Sequence, residues 1–267
     1  MTPMRGAAVL AGAALIAACA TLSMPMNQTV TSLAPTGPLR AAINFGNPVL
    51  ASKDPATGEA RGVSVDLARE LSRRLGVPLA IVTYPAAGQV VEGLKSSAWD
   101  VAFLAIDPAR AVDITFTAPY VVIEGAYLVR QDSRIRSNAE VDREGIRVAV
   151  GKGSAYDLFL SRELKHATID RAPTSPEVTN FFLARNLDVA AGVKQQLEAD
   201  AKRVGGVRLL DGNFMVINQA MAAPRGREAG SAYLREFVEE MKASGFVAAA
   251  LARHGIEGAA VAPPARP

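Results

Sequence analysis

From residue 39 to residue 253 the chain alternates two hydrophobic rhythms. Short apolar runs of strand length recur at 39–44 (LRAAIN), 79–84 (LAIVTY), 100–106 (DVAFLAI), 146–150 (IRVAV) and 187–192 (LDVAAG). Between them lie stretches with helical spacing. Residues 65–75 place Leu67, Ala68, Leu71 and Leu75 on one face, and Gly76 with Pro78 supplies the stop. Residues 88–96 turn Val90, Val91 and Leu94 inward, and 156–164 turn Tyr156, Leu160 and Leu164 inward. Further helices are predicted over 177–185, 193–203, 228–243 and 245–253.

The run 100–106 is apolar almost throughout, as in a strand buried on both faces. The stretch 51–62 is turn-rich and reads as a hairpin or loop. Repeated strand–helix–strand units imply right-handed crossovers and mostly parallel sheet. Two long extended segments, 118–130 and 214–221, break this rhythm, and their spacing predicts two passes between two lobes.

Composition narrows the function. Of 267 residues, 29 are Lys or Arg and 26 are Asp or Glu, a net charge of +3. No basic block stands out, which argues against nucleic-acid binding. A single cysteine, Cys19, excludes an intramolecular disulfide and a cysteine zinc cage, and two histidines make poor material for a metal site. No cofactor is expected.

The cysteine lies behind Arg5 and an apolar run over 7–18, the layout of a secretory signal. Ile16-Ala17-Ala18-Cys19 resembles the bacterial lipoprotein signal, in which the cysteine becomes the lipidated first residue. Cleavage after Ala18-Cys19-Ala20, releasing a soluble protein, competes with it. Residues 20–37 read as a flexible tether and 259–267 as a disordered tail.

Several motifs, in order, resemble the family 3 extracellular solute-binding proteins, the polar amino acid receptors of bacterial ABC importers. They are Gly62-Val-Ser-Val-Asp66-Leu67, Trp99-Asp100-Val-Ala-Phe, Arg110 with Phe116-Thr117-Ala-Pro-Tyr120, the stretch from Ile146 to Ser154, and Leu187-Asp188-Val-Ala-Ala. The resemblance implies an α/β, type II periplasmic-binding-protein fold of two lobes, each a mostly parallel sheet flanked by helices, joined by two hinge strands. Lobe 1 would take 38–122 and 219–258, and lobe 2 would take 123–218. A monomer in the periplasm or cell envelope would close on a small-molecule ligand and present the closed form to an ABC permease in the inner membrane.

The resemblance also nominates site residues. Arg110 follows the strand ending near Ala105, and in the family this arginine grips the ligand's α-carboxylate with its planar fork. The loop through Asp107 is short, so Asp107 is expected either in the site or paired with Arg110. Gly153 and Ser154 lie between strand and helix, where Ser154 either donates its hydroxyl and amide to a carboxylate or caps the helix. The stretch GKGSAYD lacks the spacing of a nucleotide phosphate loop. Asn44, Phe45 and Asn47 follow the first strand, where the family often contacts ligand. Glu124 reads as a hinge or interlobe hydrogen-bonding group.

Two departures stand against these matches. Where the family places an acid for the α-ammonium, this chain has Gly192-Val193-Lys194. Where an aromatic platform is expected it has Pro85-Ala86-Ala87-Gly88, with Tyr84 upstream. A small-residue wall offers no stacking and no cation–π contact. A carboxylate without an essential ammonium thus enters consideration, and Lys194 or Lys152 could favour a second anion. The alternatives are an enzyme on the same scaffold, as in dehydratase relatives, and a sensory or partner-binding protein. Asp107 and Glu124 are the only evident acid–base candidates. His166 and His254 are expected to be solvated on outer helices.

Overall fold

The computed structural model describes residues 26–266. In chain order its elements are α1 (Met26–Leu33), β1 (Leu39–Asn44), β2 (Ser52–Lys53), β3 (Ala60–Arg61), α2 (Val63–Leu75), β4 (Leu79–Tyr84), α3 (Ala87–Gly93), β5 (Val101–Ala105) and β6 (Ile114–Arg130). There follow β7 (Arg147–Gly151), α4 (Ala155–Glu163), β8 (Thr168–Ala172), α5 (Val178–Ala184), β9 (Val189–Val193), α6 (Lys194–Val204) and β10 (Val207–Leu209). The last elements are β11 (Met215–Pro224), α7 (Glu228–Ala243), α8 (Phe246–Arg253) and β12 (Ala260–Val261).

The strands hydrogen-bond in the order β4-β1-β5-β11-β6-β9-β7-β8. One end, β4-β1-β5, is parallel, and so is the other, β9-β7-β8. The long strands β6 and β11 run antiparallel between them and serve both halves. This is the two-lobed α/β architecture with two connecting strands. The β6–β11 register shifts between Gln219 and Ala220 and again between Ala220 and Ala222. Such bulges bend and twist a strand locally.

Strand alternation decides which side chains fill which core. Along β5, Val101, Phe103 and Ala105 enter one apolar cluster, while Ala102 and Leu104 enter another. Along β7, Val148 and Val150 face one cluster and Ala149 the opposite one. Each half-sheet is therefore covered on both faces, as parallel sheets require. In α2 the predicted stripe Leu67, Ala68, Leu71 and Leu75 is buried, and Gly76 ends the helix with φ of 66°.

Three expectations change. Residues 20–37 are not a tether throughout: α1 packs against α7 with Leu33 fully buried. Gly230 makes the room, since a Cβ there would sit 2.6 Å from Leu33 Cδ2. The helix is short and mostly polar, so it leaves little periodic signal. Nor is the C-terminal stretch a free tail. Strand β12 covers an edge of β6, pairing Ala260 with Val122 and Val261 with Val121, and Lys242 Nζ donates to the Pro263 carbonyl. An open edge accepts such a strand through backbone groups, without a hydrophobic pattern. His254 is half-buried and bonded to Asp66 at 2.8 Å, not solvated. The signal sequence and Cys19 lie outside the described residues.

Asp100 holds the first lobe's elements together. Its carboxylate is fully buried and accepts from Arg40 Nε at 2.9 Å, Arg40 Nη2 at 2.8 Å and Arg227 Nη1 at 2.9 Å. Arg227 also reaches the Ser32 carbonyl, so one carboxylate links β1, β5, α7 and α1. Burial raises its pKa, but the bonds from Arg40 and Arg227 outweigh this and hold it below the ordinary value. A depressed acid contributes stability above its unfolded pKa and loses it as pH falls through the folded one. Asp100→Asn should therefore cost about 3 kcal/mol in urea denaturation at neutral pH. The gap to the native protein should narrow below about pH 4.

Candidate functional site

The site lies where the two half-sheets meet. Strand β5 ends at Ala105, and Asp107 then caps a turn, its Oδ1 accepting from Ala109 N at 2.8 Å. The turn carries Arg110 back beneath the strand end. Its guanidinium is 3% exposed and donates from Nη1 to the Ala105 carbonyl at 2.8 Å. Nη2 donates to the Gly153 carbonyl, across in the other lobe, at 2.9 Å. Nε has no partner. Burial pulls this cation's pKa down to about 10, against the opposing pull of Asp107. A buried positive charge whose hydrogen bonds go only to neutral carbonyls favours an anion.

Asp107 itself does not hydrogen-bond the Arg110 guanidinium. Its Oδ2 pairs with Arg162 Nη1 at 2.9 Å. Arg162 stands on α4, so this ion pair also crosses between the lobes. The turn buries both side chains but gives them separate partners, Asp107 pairing with α4 and Arg110 reaching the Ala105 and Gly153 carbonyls.

From the second lobe comes the loop between β7 and α4. Gly153 has φ of 70°, and a Cβ there would lie 2.8 Å from Gly88 Cα. Backbone meets backbone at this point, which only glycine allows. Ser154 caps α4, its Oγ accepting from Asp157 N at 3.0 Å. The Gly153 amide is taken by Asp157 Oδ2 at 2.8 Å, and the Ser154 amide by the Gly151 carbonyl at 3.0 Å. The anion-favouring helix start thus already holds a carboxylate of its own. Of the two Ser154 donors expected from sequence, the amide is thus spent within the loop, and the hydroxyl sits beside Tyr156.

After β1 the chain turns through Asn44, whose Oδ1 accepts from Gly46 N at 2.9 Å. Asn47 is 7% exposed, and neither atom of its carboxamide has a partner. Asn44, Asn47, Ala105, Arg110 and Ser154 line one cavity of about 30 Å³. That is room for a water or two in this closed arrangement. Phe45, between the two asparagines, faces elsewhere. It lines an outer groove of about 400 Å³ with Tyr84, Pro85 and Pro176, and Lys53 Nζ sits 5.8 Å from its ring.

The cavity wall also answers the two departures seen in sequence. Val193 and Ala87 both face the cavity. Lys194 turns away to Glu124 at 2.7 Å, and Asn213 donates to the same carboxylate at 3.0 Å. Lys194, then Asn213, keeps the Glu124 carboxyl below its ordinary pKa. Glu124 is thus a hydrogen-bonding group of the connecting strand. Wall residues that sequence reasoning missed are Gln219 on β11, Ser175, and Tyr156, read only as helix core. Burial pushes the Tyr156 phenol up to about 12, against hydrogen bonds from Ser175 and Ser154. A polar residue interrupting the apolar strand at Gln219 was the one available sequence signal. Among the described residues no metal-binding cluster occurs, and no helix is long and apolar enough to cross a membrane.

The family model described as bacterial extracellular solute-binding proteins, family 3, matches residues 39–256. Solved structures with similar folds include the cysteine-binding protein from Campylobacter jejuni, at 18% identity and TM-score 0.72, covering 85% of this chain and 92% of that one. An amino acid ABC transporter substrate-binding protein from Streptococcus pneumoniae, bound to L-arginine, matches at 16% identity and TM-score 0.71, over 83% and 96%. The ancestral amino acid-binding protein AncCDT-1, a precursor of cyclohexadienyl dehydratase, matches at 21% and 0.71, over 84% and 98%.

The Arg162–Asp107 pair crosses the cleft with one partner 41% exposed, so its worth is that of a partly screened ion pair. Arg162→Ala should favour the open form by about 1 kcal/mol, roughly fivefold. Paired spin labels on the two lobes should report a larger long-distance population. An unchanged distance distribution would show that the pair does not hold the lobes.

Proposed function

The chain belongs to the bacterial extracellular solute-binding proteins, family 3, and on that footing we propose that it captures a small carboxylate-bearing solute, an amino acid or amino-acid-like compound, in the interlobe cleft for an ABC permease. The observation that carries this reading is Arg110. Its guanidinium is buried at the C-terminal end of a parallel strand, keeps an unpartnered Nε, and faces a cavity built from both lobes. Ligands of open α/β sheets bind beyond such strand ends. A planar fork with spare donors matches the two oxygens of a carboxylate.

Closure follows from the same placement. Lobe 1 (38–122 and 219–258) supplies Arg110, Asn44 and Asn47. Lobe 2 (123–218) supplies Ser154. A solute held by both sets binds the closed form better than the open one, and that difference drives closure. The β6 and β11 strands, divided near 122 and 218, are the hinge. The protein works as a monomer that shows its closed surface to the permease.

The dehydratase-like reading is the weaker one. Its acid–base candidates are both occupied, Asp107 by Arg162 and Glu124 by Lys194 and Asn213. The family's extracellular character fits export across the inner membrane, with Cys19 carrying the lipid that anchors the mature chain at the envelope.

Two measurements test this reading. Thermal unfolding of the full mature protein should shift upward with a binding carboxylate. Arg110→Ala should abolish the shift, and Arg110→Lys, which keeps the charge but loses the fork, should weaken affinity at least about tenfold by calorimetric titration. Carboxylate affinity unchanged in Arg110→Ala would remove the assignment. Mass spectrometry of the membrane fraction should find a diacylglyceryl group on Cys19, and a lipid-free mature start beyond residue 20 would refute the anchor.

A further inference from the structure

Resting on the carboxylate reading above, we propose that the site selects solutes whose α substituent is an uncharged hydrogen-bonding group, a 2-hydroxy or 2-oxo carboxylate in place of an α-ammonium carboxylate, and that Asn47 reads that substituent.

The argument begins with unmet hydrogen bonds. Buried polar atoms nearly always have partners, and an unpartnered one is costly. In this cavity Asn47 lacks partners for both Nδ2 and Oδ1, although the residue is 93% buried by its 7% exposure. An asparagine just after a strand ordinarily caps a neighbouring amide. Asn44 does this for Gly46, but the turn at Asn47 is made by its backbone, the carbonyl accepting from Leu50 N and Ala51 N at 3.1 Å. The carboxamide is left for something else.

Arg110 is the neighbouring unmet donor. A guanidinium has five N–H groups. Two are spent, on the carbonyls of Ala105 and Gly153, and Nε is buried without a partner. A carboxylate taking Nε–H and a remaining Nη–H neutralises this charge in bidentate fashion.

The charges around the cavity then discriminate at the α position. None of the residues lining it is Asp, Glu or His. The nearby acids are committed: Asp107 to Arg162, Glu124 to Lys194, and Asp157 to Arg171 and the Gly153 amide. Apolar Val193 and Ala87 complete the wall. An ammonium would therefore bring a second positive charge beside buried Arg110, with one carboxylate to serve both cations. A hydroxyl or carbonyl brings no charge. The carboxamide suits either, because Oδ1 accepts from a hydroxyl and Nδ2 donates to a hydroxyl or an oxo oxygen.

The test is calorimetric titration of the full mature protein with skeleton-matched acids. One series is L-alanine, L-lactate and pyruvate. The other is L-leucine, its 2-hydroxy analogue and its 2-oxo analogue. In each series the hydroxy acid or the oxo acid should bind at least about tenfold more tightly than the amino acid. Asn47→Asp places a carboxylate at the α substituent and should reverse that ratio. Asn47→Ser should keep the order at lower affinity, and melting curves establish that both variants fold. Tighter binding of the amino acids, still lost in Arg110→Ala, overturns this inference and leaves the carboxylate reading standing. A ratio unmoved in a folded Asn47→Asp removes Asn47 from the role. Binding that survives Arg110→Ala, or no binding of any acid at millimolar concentration, overturns the carboxylate reading and this one with it.

Discussion

A positive charge buried between two lobes must be answered, and much of this molecule's organisation around the cleft is the answer to Arg110. The guanidinium cannot shed its proton at any ordinary pH. It is 3% exposed, and its bonds run to one carbonyl in each lobe. Neutral carbonyls satisfy hydrogens but leave the net charge. The same residue therefore ties the lobes together and creates the demand for an anion between them. Asp107, three residues before it, does not hydrogen-bond the guanidinium, because its carboxylate is turned to Arg162. Asp107 and Arg110 thus sit on one short turn with separate partners, the carboxylate pairing with Arg162 on α4 and the guanidinium at the cavity.

The fold was largely readable from residue pattern because its inner parallel strands β1, β5, β7 and β9 are largely buried on both faces and its helices on one. Continuous apolar runs and 3.6-residue stripes leave strong signals, and β1, β4, β5 and α7 fall where those signals predict. What escaped detection were elements defined by partners rather than by pattern. The α1 helix exists through Leu33 seated over Gly230, and β12 exists because β6 offers an edge. Neither needs a periodic sequence of its own.

The site was legible in a different proportion. Asn44, Asn47, Ala105, Arg110 and Ser154 share one cavity, although they come from three separate loops. What sequence could not supply was direction. Phe45 turns away from the cavity that Asn44 and Asn47 line, into the larger groove. The Ser154 amide and the Gly153 amide, readable as an anion cradle, are filled from within by Gly151 and Asp157. Gln219 gave no motif at all, because its role comes from a strand crossing the cleft floor rather than from a loop.

That strand has a further meaning. Its register with β6 slips on both sides of Ala220, so the backbone is least regular immediately beside Gln219. A residue of the cavity wall therefore rides on the part of the connecting strand best able to bend. Wall shape and lobe angle are one mechanical coordinate, not two. On the reading proposed above, a solute in contact with Gln219 would act directly on this joint, with no relay of intermediate side chains. Size discrimination in such a device is a matter of the angle at which the joint comes to rest.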